Sequence, residues 1–120
     1  MDPKPYSYKN IQIQVGDDEE VIFRVEAVSN VNSIQTSINI PGDNDPEIPN
    51  DESATTARLG TGADLRAHVT VVASLISNLA VEEDEIKVNY YVNNELIVPH
   101  SNPKSEAERA LVIISINFIS

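Results

Sequence analysis

Alternation of apolar and polar residues with a period of two constrains the fold of this chain more than any other sequence feature, because it recurs in several short segments. Ile11, Ile13 and Val15 alternate with amide side chains, and residues 21–27 alternate apolar residues with arginine and glutamate. A strand with one buried and one solvated face has this pattern, since successive side chains point to opposite faces. The pattern therefore predicts β-strands in both segments.

Turn signals separate these segments from others of the same kind. Alternating segments follow at 33–40, 55–59, 86–92 and 96–98. Asn93 and Asn94 are predicted to join the last two as a two-residue hairpin turn, because asparagine tolerates the left-handed backbone that such turns require. Pro99 predicts either the end of its strand or an edge position, because proline has no backbone N–H to donate to a neighbouring strand.

Residues 65–79 fit two patterns. Leu65, Val69, Val72, Ile76 and Leu79 form an apolar stripe at helical spacing. From residue 69 onward the same segment alternates like a strand, and its run of valine and threonine is β-branched, which favours a strand. We predict a strand here, with a helix as the alternative.

Residues 110–120 are apolar on both faces of the predicted strand. One face carries Val112, Ile114, Ile116 and Phe118, and the other carries Leu111, Ile113 and Ile119. A strand of this kind is either central in its sheet or buried at an interface with another protein.

Seven or eight short strands separated by turn signals predict an all-β fold, an antiparallel two-sheet sandwich. We expect an immunoglobulin-like arrangement on strand count and spacing alone, since the chain lacks the cysteines and tryptophan that mark antibody domains. The length of 120 residues predicts a single sandwich domain spanning residues 1–120. Residues 41–54 contain three prolines and five acids, and we expect them to form an exposed acidic loop.

Composition excludes several classes of function. The chain has no cysteine, so disulfides and thiolate metal sites are excluded. No apolar run approaches the roughly 18 to 20 residues that span a bilayer, and we expect a soluble protein. The N-terminus lacks the features of a secretory signal, which favours a cytoplasmic protein or an exported one already processed. A net charge of −11 has the wrong sign for a nucleic-acid partner.

Acidic residues concentrate in the predicted turns. If each predicted strand crosses the sandwich once, the turns at 17–20, 43–52 and 82–85 share one end of the domain. Calcium takes six to eight oxygen ligands, so the acidic loop is a candidate calcium site with Asp43, Asp45, Glu47, Asp51 and Glu52 as ligands. The loop is not an EF-hand, because Ile48 and Ala54 occupy the positions of the required glycine and glutamate. The simpler interpretation is that these acids are solvated charges that prevent aggregation of strand edges.

Catalytic motifs are missing from the sequence, and we expect the protein not to be an enzyme. The two histidines, His68 and His100, lack the spacing of a metal site and a convincing catalytic partner. Tyr6, Tyr8 and Tyr91 are predicted to cover a sheet edge rather than to form a binding patch.

Two functions fit these observations. The first is a non-enzymatic protein-interaction or assembly module, which binds another protein or copies of itself through surplus aliphatic surface such as that on residues 111–119. The alternative is a calcium-dependent module that binds carbohydrate or another ligand through its acidic loops.

Overall fold

The computed structural model describes residues 3–29, 31–39, 47–50, 54–66 and 69–120. Within these residues the chain forms nine strands and one five-residue helix. In chain order they are β1 (Lys4–Gln14), β2 (Glu20–Ala27), β3 (Val31–Asn39), β4 (Glu47–Asn50), β5 (Ala54–Thr61), α1 (Gly62–Arg66), β6 (Val69–Leu79), β7 (Glu85–Val92), β8 (Glu95–Pro103) and β9 (Ala110–Ile119).

The described strands form two sheets, which confirms the predicted all-β, sandwich-like fold. One sheet has five strands in the order β1-β9-β6-β3-β4, and the other has four in the order β5-β2-β7-β8. This strand order does not confirm the immunoglobulin-like type. The predicted all-antiparallel pairing is wrong for one pair, because β1 runs parallel to β9. The strand that follows β1 lies in the other sheet, so no hairpin forces β1 to be antiparallel to its neighbour.

The core lies between the two sheets and takes one face of each central strand. β7 and β9 alternate buried and partly exposed residues along their length, as the period-two pattern predicts. The rings of Phe23 and Tyr90 pack near the middle of the core with their centroids 6.0 Å apart. Tyr6 and Tyr8 are half-buried on edge strand β1 and pack against the core, as predicted for edge-covering residues.

The ambiguous segment is extended over most of its length. β6 (Val69–Leu79) pairs antiparallel with β3 and β9, so both of its edges are hydrogen-bonded within the sheet. Leu65 instead lies in α1 and is buried in the core. This short helix is fixed to the turn after β1 by hydrogen bonds from the Gly62 and Ala63 N–H groups to the carbonyls of Glu19 and Asp17.

The hairpin and edge predictions are confirmed. Asn93 and Asn94 have φ angles of 50° and 67°, the left-handed conformations that a two-residue turn of type I′ needs. β8 continues through Pro99 and is the edge strand of the four-stranded sheet. β9 lies between β1 and β6, so it is a central strand, as one of the two interpretations of its sequence required.

The prediction that the acidic turns share one end of the sandwich is wrong. The turn after β1 reaches the end of β9, where the Val15 N–H donates to the Ile119 carbonyl. The turn after β6 lies beside the residues that precede β9, where the Lys104 N–H donates to the Asp84 carbonyl. β9 spans about 33 Å at ~3.3 Å per residue, and this distance separates the two turns. The unpredicted strand β4 adds one crossing and reverses the direction of every later strand.

Candidate functional site

The outward surface of the five-stranded sheet has an apolar centre. Across β6 and β9, Leu75 pairs with Leu111, Ala73 with Ile113 and Val71 with Ser115. The intervening residues of both strands are buried in the core, so these side chains point away from the other sheet and are half-buried among themselves. No third layer of strands or helices lies over them among the described elements.

A rim of uncharged polar side chains surrounds this centre. On β1, Pro5 and Ser7 stand beside Leu111 and Ile113. On β3, Gln35 and Ser37 stand beside Leu75 and Ala73. We call this surface the uncharged face; it comprises Pro5, Ser7, Gln35, Ser37, Val69, Val71, Ala73, Leu75, Leu111, Ile113, Ser115 and Ile119.

Charge is depleted on the uncharged face relative to the rest of the chain. None of the outward residues of β6 and β9 is ionisable, although the chain contains 27 charged residues in its 120. Charged residues occur at its two borders: Lys9 lies in the β1 bulge where the register with β9 shifts, and Glu47 on β4 is the partner of Ser37. Val69 and Ile119 at one end of the face are 44% and 40% exposed, which is high for large aliphatic residues. Depletion of charge around an apolar centre is typical of protein–protein interfaces.

The outer surface of the four-stranded sheet is an ordinary solvated surface by comparison. Arg24 stacks over the Tyr91 ring at 4.0 Å from its centroid. Lys87 and Glu85 form an ion pair of 3.1 Å on neighbouring outward positions of β7. The outer surfaces of the two sheets therefore differ in charge.

A second distinctive feature is a buried histidine between the two edge strands β1 and β8. His100 is 1% exposed, and its Nδ1 lies 2.7 Å from the Tyr8 hydroxyl. Its Nε2 lies 2.9 Å from Oδ1 of Asn102. The Asn102 amide nitrogen donates to the carbonyls of Pro103 and Ala107, so its oxygen must face the histidine. His100 therefore carries its proton on Nε2, and the Tyr8 hydroxyl donates to Nδ1.

Glu106 extends the same cluster toward solvent. Its Oε1 accepts hydrogen bonds from Lys4 Nζ at 2.6 Å and from the Tyr6 hydroxyl at 3.0 Å. These two bonds, the one from Lys4 first, lower the pKa of Glu106. The pKa of Tyr6 rises to about 12, because of its desolvation and its hydrogen bond to Glu106. The Tyr6 ring also meets the His100 ring edge-on, with centroids 4.8 Å apart.

This cluster joins the edges of the two sheets through hydrogen bonds. Both ring nitrogens of His100 have protein partners in this arrangement. A groove of about 320 Å³ includes His100, Val28 and Pro99 in its lining. Sequence reasoning missed the Tyr8–His100 pair because the two residues come from edges of different sheets, 92 positions apart.

Most of the candidate calcium ligands lie outside the described residues. These ligands are Asp43, Asp45, Asp51 and Glu52. His68, which is not a candidate calcium ligand, also lies outside the described residues. The structure describes only the backbone of Glu47, in β4. Among the side chains that are described, no group of three or more histidine and acidic residues is arranged to hold a metal ion. The calcium site stays a prediction.

Comparison with protein-family models, curated proteins and solved structures found no match to this chain. No helix in the described part of the chain has the length and hydropathy needed to cross a membrane.

Proposed function

We propose that this protein is a non-enzymatic assembly module that associates with a second copy of itself through the uncharged face. The observation that carries the proposal is the contrast between a net charge of −11 and a sheet surface whose two central strands, β6 and β9, point no charged side chain outward. Soluble proteins normally place mixed charges on surfaces that stay in water. An immunoglobulin-like arrangement, predicted from strand count, is not required by this proposal.

The size of the uncharged face supports an interface. Along β9 the face runs from Leu111 to Ile119, nine residues that span about 30 Å at ~3.3 Å per residue, and the four strands β1, β9, β6 and β3 span about 19 Å at ~4.8 Å per strand. Their product is a footprint of about 570 Å². A standard protein–protein interface buries about 800 Å² on each partner, so the face supplies most of the area that such an interface needs.

The apolar centre is complementary to itself, which favours a second copy as the occupant. Two chains that each carry −11 repel one another wherever their acidic surfaces meet. β6 and β9 point no charged side chain outward, so two copies that stack along these strands avoid this repulsion at the centre of the contact. A two-fold symmetric dimer would place the same apolar centre against itself, which needs no separate complementary surface.

Analytical ultracentrifugation over a wide concentration range tests this proposal. We expect the wild-type protein to form a reversible dimer, and we expect Ile113→Lys to weaken it more than tenfold, because an unpaired ammonium would be buried in an apolar contact. Ser115→Lys adds the same charge to the face without removing an aliphatic side chain, and it should also weaken the dimer. Ser101→Lys places the same charge on the exposed outer surface of β8 and serves as the matched control.

Three outcomes would contradict the proposal. A wild-type protein that stays monomeric at every concentration would exclude self-association. A dimer that Ile113→Lys and Ser115→Lys leave intact would place the interface elsewhere. Equal weakening by Ser101→Lys, which lowers the net negative charge and so cannot weaken the dimer through repulsion, would show that the effect does not depend on the uncharged face. Melting curves of all three variants exclude unfolding as the cause of a lost dimer.

A further inference from the structure

The first half of β1 is placed so that it can open separately from the rest of its sheet. β1 is an edge strand paired only with β9, and none of its residues is fully buried. Its register shifts between Tyr8 and Ile11, where Asn10 has a φ of 61°. This bulge separates residues 4–8 from residues 11–14, so the first half can leave β9 while the second half stays paired.

Side chains fasten this first half to the other sheet. The Tyr8 hydroxyl donates to His100, and the Tyr6 ring packs edge-on against the same imidazole. Lys4 and Tyr6 both donate to Glu106, which lies in the segment between β8 and β9. Within the described residues, the Tyr8–His100 bond is the link that is fully removed from water at the histidine end.

Proton uptake would disrupt this link. In the closed form Nδ1 of His100 accepts a hydrogen bond and Nε2 donates one. A proton added to Nδ1 buries a positive charge and turns Nδ1 into a donor. The Tyr8 hydroxyl must then rotate and accept the bond, so its own proton loses the acceptor that it has in the closed form. The ionisable groups that face the imidazole are Tyr6 and Tyr8 from β1 and Glu106 from the segment between β8 and β9. On β7, the cross-strand neighbour of His100 is the uncharged Val88. Glu106 is the only carboxylate among them, and it is already engaged with Lys4.

We propose that the Tyr8–His100 hydrogen bond is an acid-sensitive latch, and that proton uptake by His100 releases residues 4–8 while the two sheets stay assembled. Release uncovers the edge of β9 from Ala110 to Ile114, including Val112 and Ile114, which are fully buried in the closed form. The inference does not rest on self-association through the uncharged face, although release would also remove Pro5 and Ser7 from that face.

The direction of the pH effect follows from burial. Desolvation lowers the pKa of His100 below its ordinary value of 6.5, and the hydrogen bond to Asn102 and the charge of Glu106 oppose this only in part. The open form, with its histidine in water, therefore binds more protons than the closed form. Opening is favoured as pH falls below about 6.5, by up to about tenfold per pH unit until the pKa of the closed form is reached.

Amide hydrogen exchange measured by NMR tests the latch. Protection factors correct for the intrinsic pH dependence of exchange, so the first half of β1 can be compared with β6 at neutral and mildly acidic pH. We expect protection in residues 4–8 to fall by up to about tenfold per pH unit while protection in β6 stays unchanged. His100→Gln should abolish this pH dependence. His68→Gln removes the only other histidine and should leave it intact.

The proposal fails if protection in residues 4–8 and in β6 changes in parallel, if His100→Gln keeps the pH dependence, or if His68→Gln removes it. Should His100→Gln not fold, a proton NMR titration of wild type and His68→Gln identifies the His100 ring signal. That signal must then titrate below the ordinary histidine pKa, together with the amide shifts of residues 4–8. A ring that titrates without those amide shifts overturns the latch.

Discussion

Replacing Gly62 with alanine tests how closely α1 packs on the turn after β1. A Cβ at position 62 would lie 2.0 Å from the Gly16 carbonyl oxygen and 2.9 Å from Cγ2 of Val15. Both distances are far below the ~3.5 to 4.0 Å of favourable contact between heavy atoms. The backbone of the turn cannot swing aside as a flexible side chain could, so α1 and the turn must separate.

The expected loss of stability can be worked out from the contacts that separate. The two backbone hydrogen bonds that join α1 to the turn are 2.9 and 3.1 Å long, and losing both costs about 2 kcal/mol. Residual overpacking adds about 2 kcal/mol. Alanine recovers about 1 kcal/mol, because it reduces the conformational entropy of the unfolded chain. The free energy of unfolding of Gly62→Ala should therefore fall by about 3 kcal/mol.

Urea denaturation of matched variants checks this value. Gly16→Ala makes the same chemical change on the other side of the contact, but its Cβ would meet Glu19 at an ordinary 3.8 Å. We expect Gly16→Ala to change stability by less than about 1 kcal/mol, and the reduced entropy of its unfolded chain favours a small gain. Equal unfolding free energies for the two variants would refute the close packing of Gly62 on the turn.

Further predictions concern the buried side chain of Asn102, the acidic loop, the uncharged face and the release of β1. Asn102→Ala leaves the His100 Nε2–H and the Ala107 carbonyl without partners, and urea denaturation should show a loss of about 2 to 3 kcal/mol, whereas the exposed Ser101→Ala should change little. We expect calcium to leave the melting temperature unchanged, since solvated charge is the simpler interpretation of the acidic loop; a rise reversed by chelator would instead favour the calcium site. Dimerisation through the uncharged face and acid release of β1 are tested by the ultracentrifugation and hydrogen-exchange experiments above.

The sequence predicts which faces of the strands are buried better than it predicts the number and direction of the strands. Period-two alternation locates the buried faces of β2, β7 and β9, because burial on one side of a sheet leaves a direct imprint on the residue pattern. β4 leaves no such imprint, because it has only four residues. Its neighbours Ile48 and Pro49 also differ in strand propensity, which is high for isoleucine and low for proline. Missing this one strand reversed the predicted direction of every later strand and brought together acidic turns that lie apart.

The candidate sites were only partly visible in the sequence. The segment 4–10 does not read as a strand because Pro3, Pro5 and Lys9 interrupt it, yet it pairs with β9 and carries both tyrosines of the histidine cluster. A contact between edge strands of different sheets depends on how the two sheets pack against each other, and no local sequence pattern encodes this packing. The surplus of aliphatic residues on the last strand was visible, but the neighbours that complete the uncharged face come from other strands.

β9 is apolar on both of its faces, and its place in the sheet accounts for one of them. A central strand in a parallel sheet is covered on both faces by helices, and its sequence is apolar throughout for that reason. β9 is central, but it belongs to a two-layer arrangement in which the four-stranded sheet covers only its inward face. Core packing therefore accounts for Val112, Ile114 and Ile116 and leaves Leu111 and Ile113 unexplained among the described elements. The aligned residues of β6 show the same excess, so the outward apolar centre spans two strands, as a surface that packs against another layer would require.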